Sequence, residues 1–187
     1  MGLPVLAFAG SLRAGSYCKM LLALAAERAR ERGADVDVLD LRDVTMPLYD
    51  ADLEAAAGLP PGAVELRRRA AAARAVIVVT PEYLGTLPGV LKNALDWASR
   101  PPNAPWRGKI ALGLGASVGN YGGARALPDL RGVLSALGML VIPPQLALIR
   151  AGEAFDEQGR LRSEAIAQDL DRAVGALIET ASRFSGA

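Results

Sequence analysis

Four β-branched residues in succession, Val76-Ile77-Val78-Val79, constrain this chain more than any other feature in it. Side chains in a strand point alternately to its two faces, so a run that is apolar at every position must be covered on both. Such a run reads as a central strand of a parallel sheet with helices packed above and below. The strand it predicts is Ala75–Thr80.

Comparable stretches lie on either side, separated by helical patterns. The strands read as Leu3–Ala9, Asp35–Leu41, Ala75–Thr80, Lys109–Ala116 and Met139–Ile142, the last with an extension over Gln145–Arg150 beyond Pro143-Pro144. The helices read as Ser16–Arg32, closed by Gly33, then Ala63–Arg74, Val90–Ser99 with Pro88 at its start, Ala124–Leu137 and Arg162–Phe184. Arg42–Gly62 is a long connection, and Ala151–Leu161 a loop or hairpin. Within the Val90–Ser99 helix, Leu91 and Leu95 share the inner face and Lys92 and Asp96 pair outside. Repeated strand–helix alternation predicts an α/β three-layer sandwich, a five-stranded parallel sheet with helices on both faces. Of the two common doubly wound orders, a five-stranded sheet favours 2-1-3-4-5 with right-handed crossovers. At 187 residues, with no repeat or linker, residues 1–187 are expected to form a single domain.

That order places a topological switch point between the first and third strands, beyond their C-terminal ends. The loops gathered there follow strands one, three and four: Gly10–Ser16, Pro81–Gly89 and Ser117–Gly123. They are also the unusual loops of the chain. Gly10-Ser11-Leu12-Arg13-Ala14-Gly15-Ser16 joins a strand to a helix N-terminus, with hydroxyls and one Arg, and this is a recipe for holding a phosphate. The alternative is a tight connection in which the glycines only turn the chain and Ser16 only caps the helix. No lysine stands where a Walker loop needs it, and Gly-x-Gly-x-x-Gly fails after the first strand. Near Gly113 and Gly115 the dinucleotide pattern fails at Val118.

Composition removes other chemistries. The chain has no histidine and one cysteine, Cys18. This excludes Ser-His-Asp and Cys-His catalysis and the usual zinc and copper sites. A lone cysteine fits a cytoplasmic protein without disulfides. No apolar run reaches the ~18 residues of a membrane span, no signal peptide or myristoylation pattern is expected, and the net charge is +1. Arg67-Arg68-Arg69 reads as a solvated helix face, so neither nucleic acid nor membrane is an expected partner. In an enzyme of this composition something other than an imidazole carries the chemistry; a bound organic cofactor is the natural candidate, and a mononucleotide flavin fits both cradle and topology.

The Gly10–Ser16 loop resembles the phosphate loop of the NAD(P)H-dependent FMN reductases, a flavodoxin-like family with quinone-, chromate- and azo-reducing members. Pro81-Glu82-Tyr83 followed by Pro88–Arg100, and Ser117-x-Gly119 with Gly122-Gly123-Ala124-Arg125, resemble its second and third signatures. The resemblance implies an FMN-dependent oxidoreductase taking hydride from NADPH or NADH to quinone-like, azo or other acceptors, or to free flavin. Ser11, Arg13 and Ser16 would hold the phosphate, with Tyr17 and Cys18 just beyond. Pro81, Glu82, Tyr83, Leu84 and Gly85 would run along the flavin ring, and Ser117 and Gly119 would close the pocket. The flavin carries the chemistry, so no side chain is expected to be catalytic and Glu82 and Tyr83 shape the pocket. A homodimer or homotetramer is implied, with Trp97 and the Trp106 loop as interface material; for Trp97 the alternative is packing against the sheet.

Two positions depart from the family pattern, which has Asn where this chain has Cys18 and Leu84. Lost hydrogen bonds there predict FMN held more weakly by roughly one to two decades. Cys18 reads either as a reactive thiol at a helix N-terminus or as a small buried replacement. Tyr121 reads either as a stacking ring or as an exposed loop aromatic. Two other functions remain open at this level: a flavin-binding electron carrier without NAD(P)H activity, and a flavin-weak protein acting through its surface.

Overall fold

In the computed structural model, which describes residues 2–184, β1 (Leu3–Ala9) leads into α1 (Tyr17–Glu31) and β2 (Ala34–Leu39). Then come α2 (Ala51–Ala57), α3 (Pro61–Ala72), β3 (Ala75–Thr80), α4 (Gly89–Ala98) and β4 (Ile110–Ala116). The chain continues through α5 (Ala126–Ala136), β5 (Leu140–Val141), β6 (Leu146–Leu148), α6 (Ala151–Ala154) and α7 (Glu164–Phe184). All strand pairs are parallel, in the order β2-β1-β3-β4-β5, with β6 also on β4. This is the expected flavodoxin-like order.

Every residue of β3 and of β4 is buried. Alternation then divides the apolar residues between two cores. Val5, Ala7, Ile77, Val79 and Leu112 face α1 and α7. Leu6, Phe8, Val76, Val78 and Ala111 face α3, α4 and α5. The register sets Ala9 beside Val79 and Thr80 beside Gly115, so β1, β3 and β4 end together.

The structure adds three things to the sequence reading. First, the fifth strand is two short pieces, so the sheet has six strands. β5 pairs with the start of β4 and β6 with its end. Pro143-Pro144 lies between them and offers no N–H to a ladder. Arg131 of α5 donates instead to the carbonyls of Val141 (2.9 Å) and Ile142 (2.7 Å). Second, the long connection contains α2, whose N-cap Asp50 accepts from the Asp52 N–H at 2.8 Å. It buries no residue, so no apolar stripe marked it in the sequence. Third, Trp97 and Trp106 are both fully buried. Trp97 donates to the Pro47 carbonyl (2.8 Å) and meets the Tyr49 ring edge-on at 5.0 Å. Trp106 donates to Ala98 (3.0 Å). The interface role expected of these tryptophans gives way to packing. The Lys92–Asp96 pair forms as expected, at 2.7 Å. Among the described residues, no helix is long and apolar enough to cross a membrane.

Candidate functional site

The cradle begins where β1 stops. Gly10 donates to the Val79 carbonyl at 2.8 Å, and a Cβ here would stand 2.9 Å from the Leu91 side chain. The close approach of α4 therefore requires glycine at position 10. Gly15 has no such neighbour and no positive φ. α1 then starts at Tyr17, with Ser16 at the N-cap. The Ser16 hydroxyl makes no capping hydrogen bond, and the first turn carries no acidic residue. The first backbone N–H groups of a helix have no partner inside it, so α1 presents bare donors and the positive end of its dipole. Ser11 and Ser16 are buried at 3% and 4% exposure beside them. Arg13 is exposed and forms no ion pair among the described residues. Free helix amides beside an exposed Arg fit a phosphate, and the Ser16 hydroxyl bonds Cys18 rather than capping the helix.

The other walls come from the ends of β3 and β4. Ser11, Arg13, Ser16, Tyr17 and Cys18 share one cavity with Pro81, Glu82, Tyr83 and Ser117. Ala116 and Val118 complete it, neither of which was expected from sequence. At about 130 Å³ it is too small to enclose a whole cofactor, so the remainder of one would lie along the loops at the surface. Leu84, Gly85 and Gly119 stay outside this cavity.

The third loop is pinned from behind. Ser117 donates to Leu148 and Ala151 donates to Ser117, while Gly119 accepts from Arg150 and donates to the Ser117 hydroxyl. Gly122 and Gly123 have φ of 58° and 91°, and a Cβ on Gly122 would stand 2.6 Å from the backbone at Ile149. In front, the loop is tied to the second loop by Glu82. Its carboxylate, only 5% exposed, accepts from the Arg125 backbone N–H (3.1 Å) and from Arg125 Nε (2.6 Å). The Arg125 guanidinium in turn lies 4.5 Å over the Tyr121 ring. Tyr121 is thus an exposed loop aromatic held by a cation. The Glu82–Arg125 tie spans 43 positions of sequence, and no local pattern announced it.

The two departures from the family pattern take definite forms. The Cys18 thiol donates to the Ala116 carbonyl at 3.3 Å. Burial pushes its pKa up to about 11, while a hydrogen bond with the Ser16 hydroxyl pulls the other way. It is a buried replacement that ties α1 to β4, not a reactive thiolate. Leu84 sits at the tip of a two-residue hairpin in which Tyr83 and Thr86 exchange both backbone hydrogen bonds at 3.1 Å. Leu84 and Gly85 have φ of 52° and 81°. Two positive φ values are the mark of a type I′ turn, which favours Asn-Gly. The departure at position 84 is first a matter of backbone conformation, and the side chain is fully exposed in the folded chain.

Fold and site together define a flavodoxin-like α/β protein with a cavity at its switch point. The family model for NADPH-dependent FMN reductases matches residues 3–153, and the chain belongs to that family. It is 39% identical over 185 residues to an NAD(P)H-dependent FMN reductase of Pseudomonas aeruginosa, covering 98% of each chain. It is 39% identical over 143 residues to a quinone reductase of Escherichia coli K12, covering 75% of this chain and 73% of the relative. Among solved structures it resembles FerB, the NAD(P)H:(acceptor) oxidoreductase flavoenzyme of Paracoccus denitrificans. There the TM-score is 0.84 at 31% identity, covering 97% and 98% of the two chains.

Proposed function

We propose that this chain is an FMN-dependent NAD(P)H oxidoreductase that reduces quinone-type acceptors. The observation that carries this reading is the uncapped N-terminus of α1, set with Ser11, Ser16 and the exposed Arg13 against the loops after β3 and β4. Arg13, the seryl hydroxyls and the helix amides bind and orient the phosphate end of FMN. Bound FMN supplies two-electron hydride chemistry that no side chain of this protein offers. Pro81–Tyr83 and Ser117–Val118 wall the pocket, and the Glu82–Arg125 tie keeps those walls in register. Glu82 is committed to that tie and the chain has no histidine. In the net reaction NAD(P)H loses a hydride and the quinone gains two electrons and two protons, the second proton coming from solvent. Family membership and relatives named as FMN and quinone reductases support the reading. With it go a single functional domain over the whole chain, a cytoplasmic location and a homodimer or homotetramer, the last to be settled by sedimentation.

The test is direct. Purified protein loaded with FMN should oxidise NADPH or NADH in proportion to added quinone, at a rate that scales with bound flavin. Bound flavin with no NAD(P)H oxidation by any quinone would refute the proposal.

A further inference from the structure

Leu84 is held in a conformation that a leucine resists and has nothing among the described residues to pack against. Its φ is 52°, in the left-handed region where a Cβ meets the following carbonyl. Its side chain is 105% exposed, so no contact within the fold repays that strain. Asparagine or glycine would suit the turn better. The position is not remote: Tyr83, the preceding residue, lines the cavity, and so does Val118 in the loop after the neighbouring strand. Those two are also largely exposed, at 51% and 65%, as is Tyr121 at 59%. The floor of the site is polar, with Ser11, Ser16, Arg13 and Ser117, while its rim carries apolar side chains projecting into solvent.

We propose that Leu84 is a specificity-determining residue. With Tyr83 and Val118 it forms an apolar lip that receives hydrophobic aromatic acceptors, so that the chain favours fused-ring or alkyl-substituted quinones over small hydrophilic oxidants. The occupant is a small planar molecule because the lip continues the wall of a pocket whose floor already holds the donors for a bound cofactor. The inference rests on the functional reading above and concerns only which acceptor is preferred.

The experiment compares wild-type holoprotein with Leu84→Asn and Leu84→Met, each rate normalised to bound flavin. The acceptors are 2-methyl-1,4-naphthoquinone and ferricyanide. Leu84→Asn relieves the turn, so it folds at least as well as the wild type, with a raised Tm. The ratio of kcat/KM for naphthoquinone over ferricyanide should fall about tenfold, through KM for the quinone. Leu84→Met, which restores an apolar side chain without relieving the turn, should keep the ratio within about twofold. Without NAD(P)H, the naphthoquinone should raise the Tm of wild-type and Leu84→Met holoprotein more than that of Leu84→Asn. A ratio indifferent to position 84 overturns the proposal. So does a fall that comes with a changed sedimentation coefficient, since Leu84 would then serve a second copy of the chain. A flavin-loaded wild type that reduces neither acceptor overturns the functional reading itself.

Discussion

Burial of Cys18 sets a pH dependence that a single substitution isolates. The thiol rises from its ordinary 9.0 to about 11 in the folded chain. Between those values the unfolded chain releases a proton that the folded chain keeps. The stability tied to this group is therefore complete below about pH 9 and is lost as pH rises toward 11. Chemical denaturation of Cys18→Ala should show a loss across that window shallower than wild type by about 2–3 kcal/mol. Parallel curves would contradict the burial. Glycines supply a second contrast at this scale. Gly122→Ala places a Cβ against the backbone at Ile149 with φ positive, and should cost about 3 kcal/mol or more. Gly15→Ala meets open space at an ordinary φ and should be neutral or stabilise by about 0.4–1 kcal/mol. Denaturant midpoints separate the two. Both glycines stood out in the sequence as loop glycines of one kind. What distinguishes them is the approach of the strand after Pro144 to one and of nothing to the other, which no local pattern encodes.

At the level of elements, legibility followed apolar periodicity. α1, α4 and α7 were readable because each buries a stripe on the sheet, and α2 was not because it buries nothing. By sequence β5 and β6 read as one strand with an extension, since both pieces are apolar and the proline pair between them breaks the ladder. The Glu82–Arg125 tie joins the loop after β3 to the start of α5, and sequence showed its two ends only as parts of separate motifs. Its removal has a definite consequence. Arg125→Ala leaves a carboxylate that is 5% exposed without its cation and frees the Tyr121 ring. The expected result is a lower Tm, by an amount that solvent screening of the exposed guanidinium keeps modest. Amide exchange should quicken over 117–125. An unchanged Tm together with unchanged exchange would show that the pinning from behind suffices without the tie.

The whole molecule was the most legible scale. A doubly buried β3, strand–helix alternation and the chain length leave few topologies, and the strand order follows from them. Where the site lies also follows, because that order brings the loops after β1, β3 and β4 to one edge. What could not be read was which donors stay unsatisfied there. That Ser16 declines to cap α1, that Ser11 is buried beside it and that Arg13 forms no ion pair among the described residues follow only from the folded chain. On them rests the proposal that this cradle grips the phosphate of FMN. Calorimetric titration of wild type and Arg13→Ala with FMN and with riboflavin, which lacks the phosphate, tests it most directly. A charge-assisted contact to phosphate contributes about 1.5–3 kcal/mol. Wild type should therefore prefer FMN over riboflavin, and Arg13→Ala should reduce that preference about tenfold or more while riboflavin affinity changes little. Equal affinity of the wild type for FMN and riboflavin, or an Arg13→Ala effect of the same size on both, would contradict the cradle.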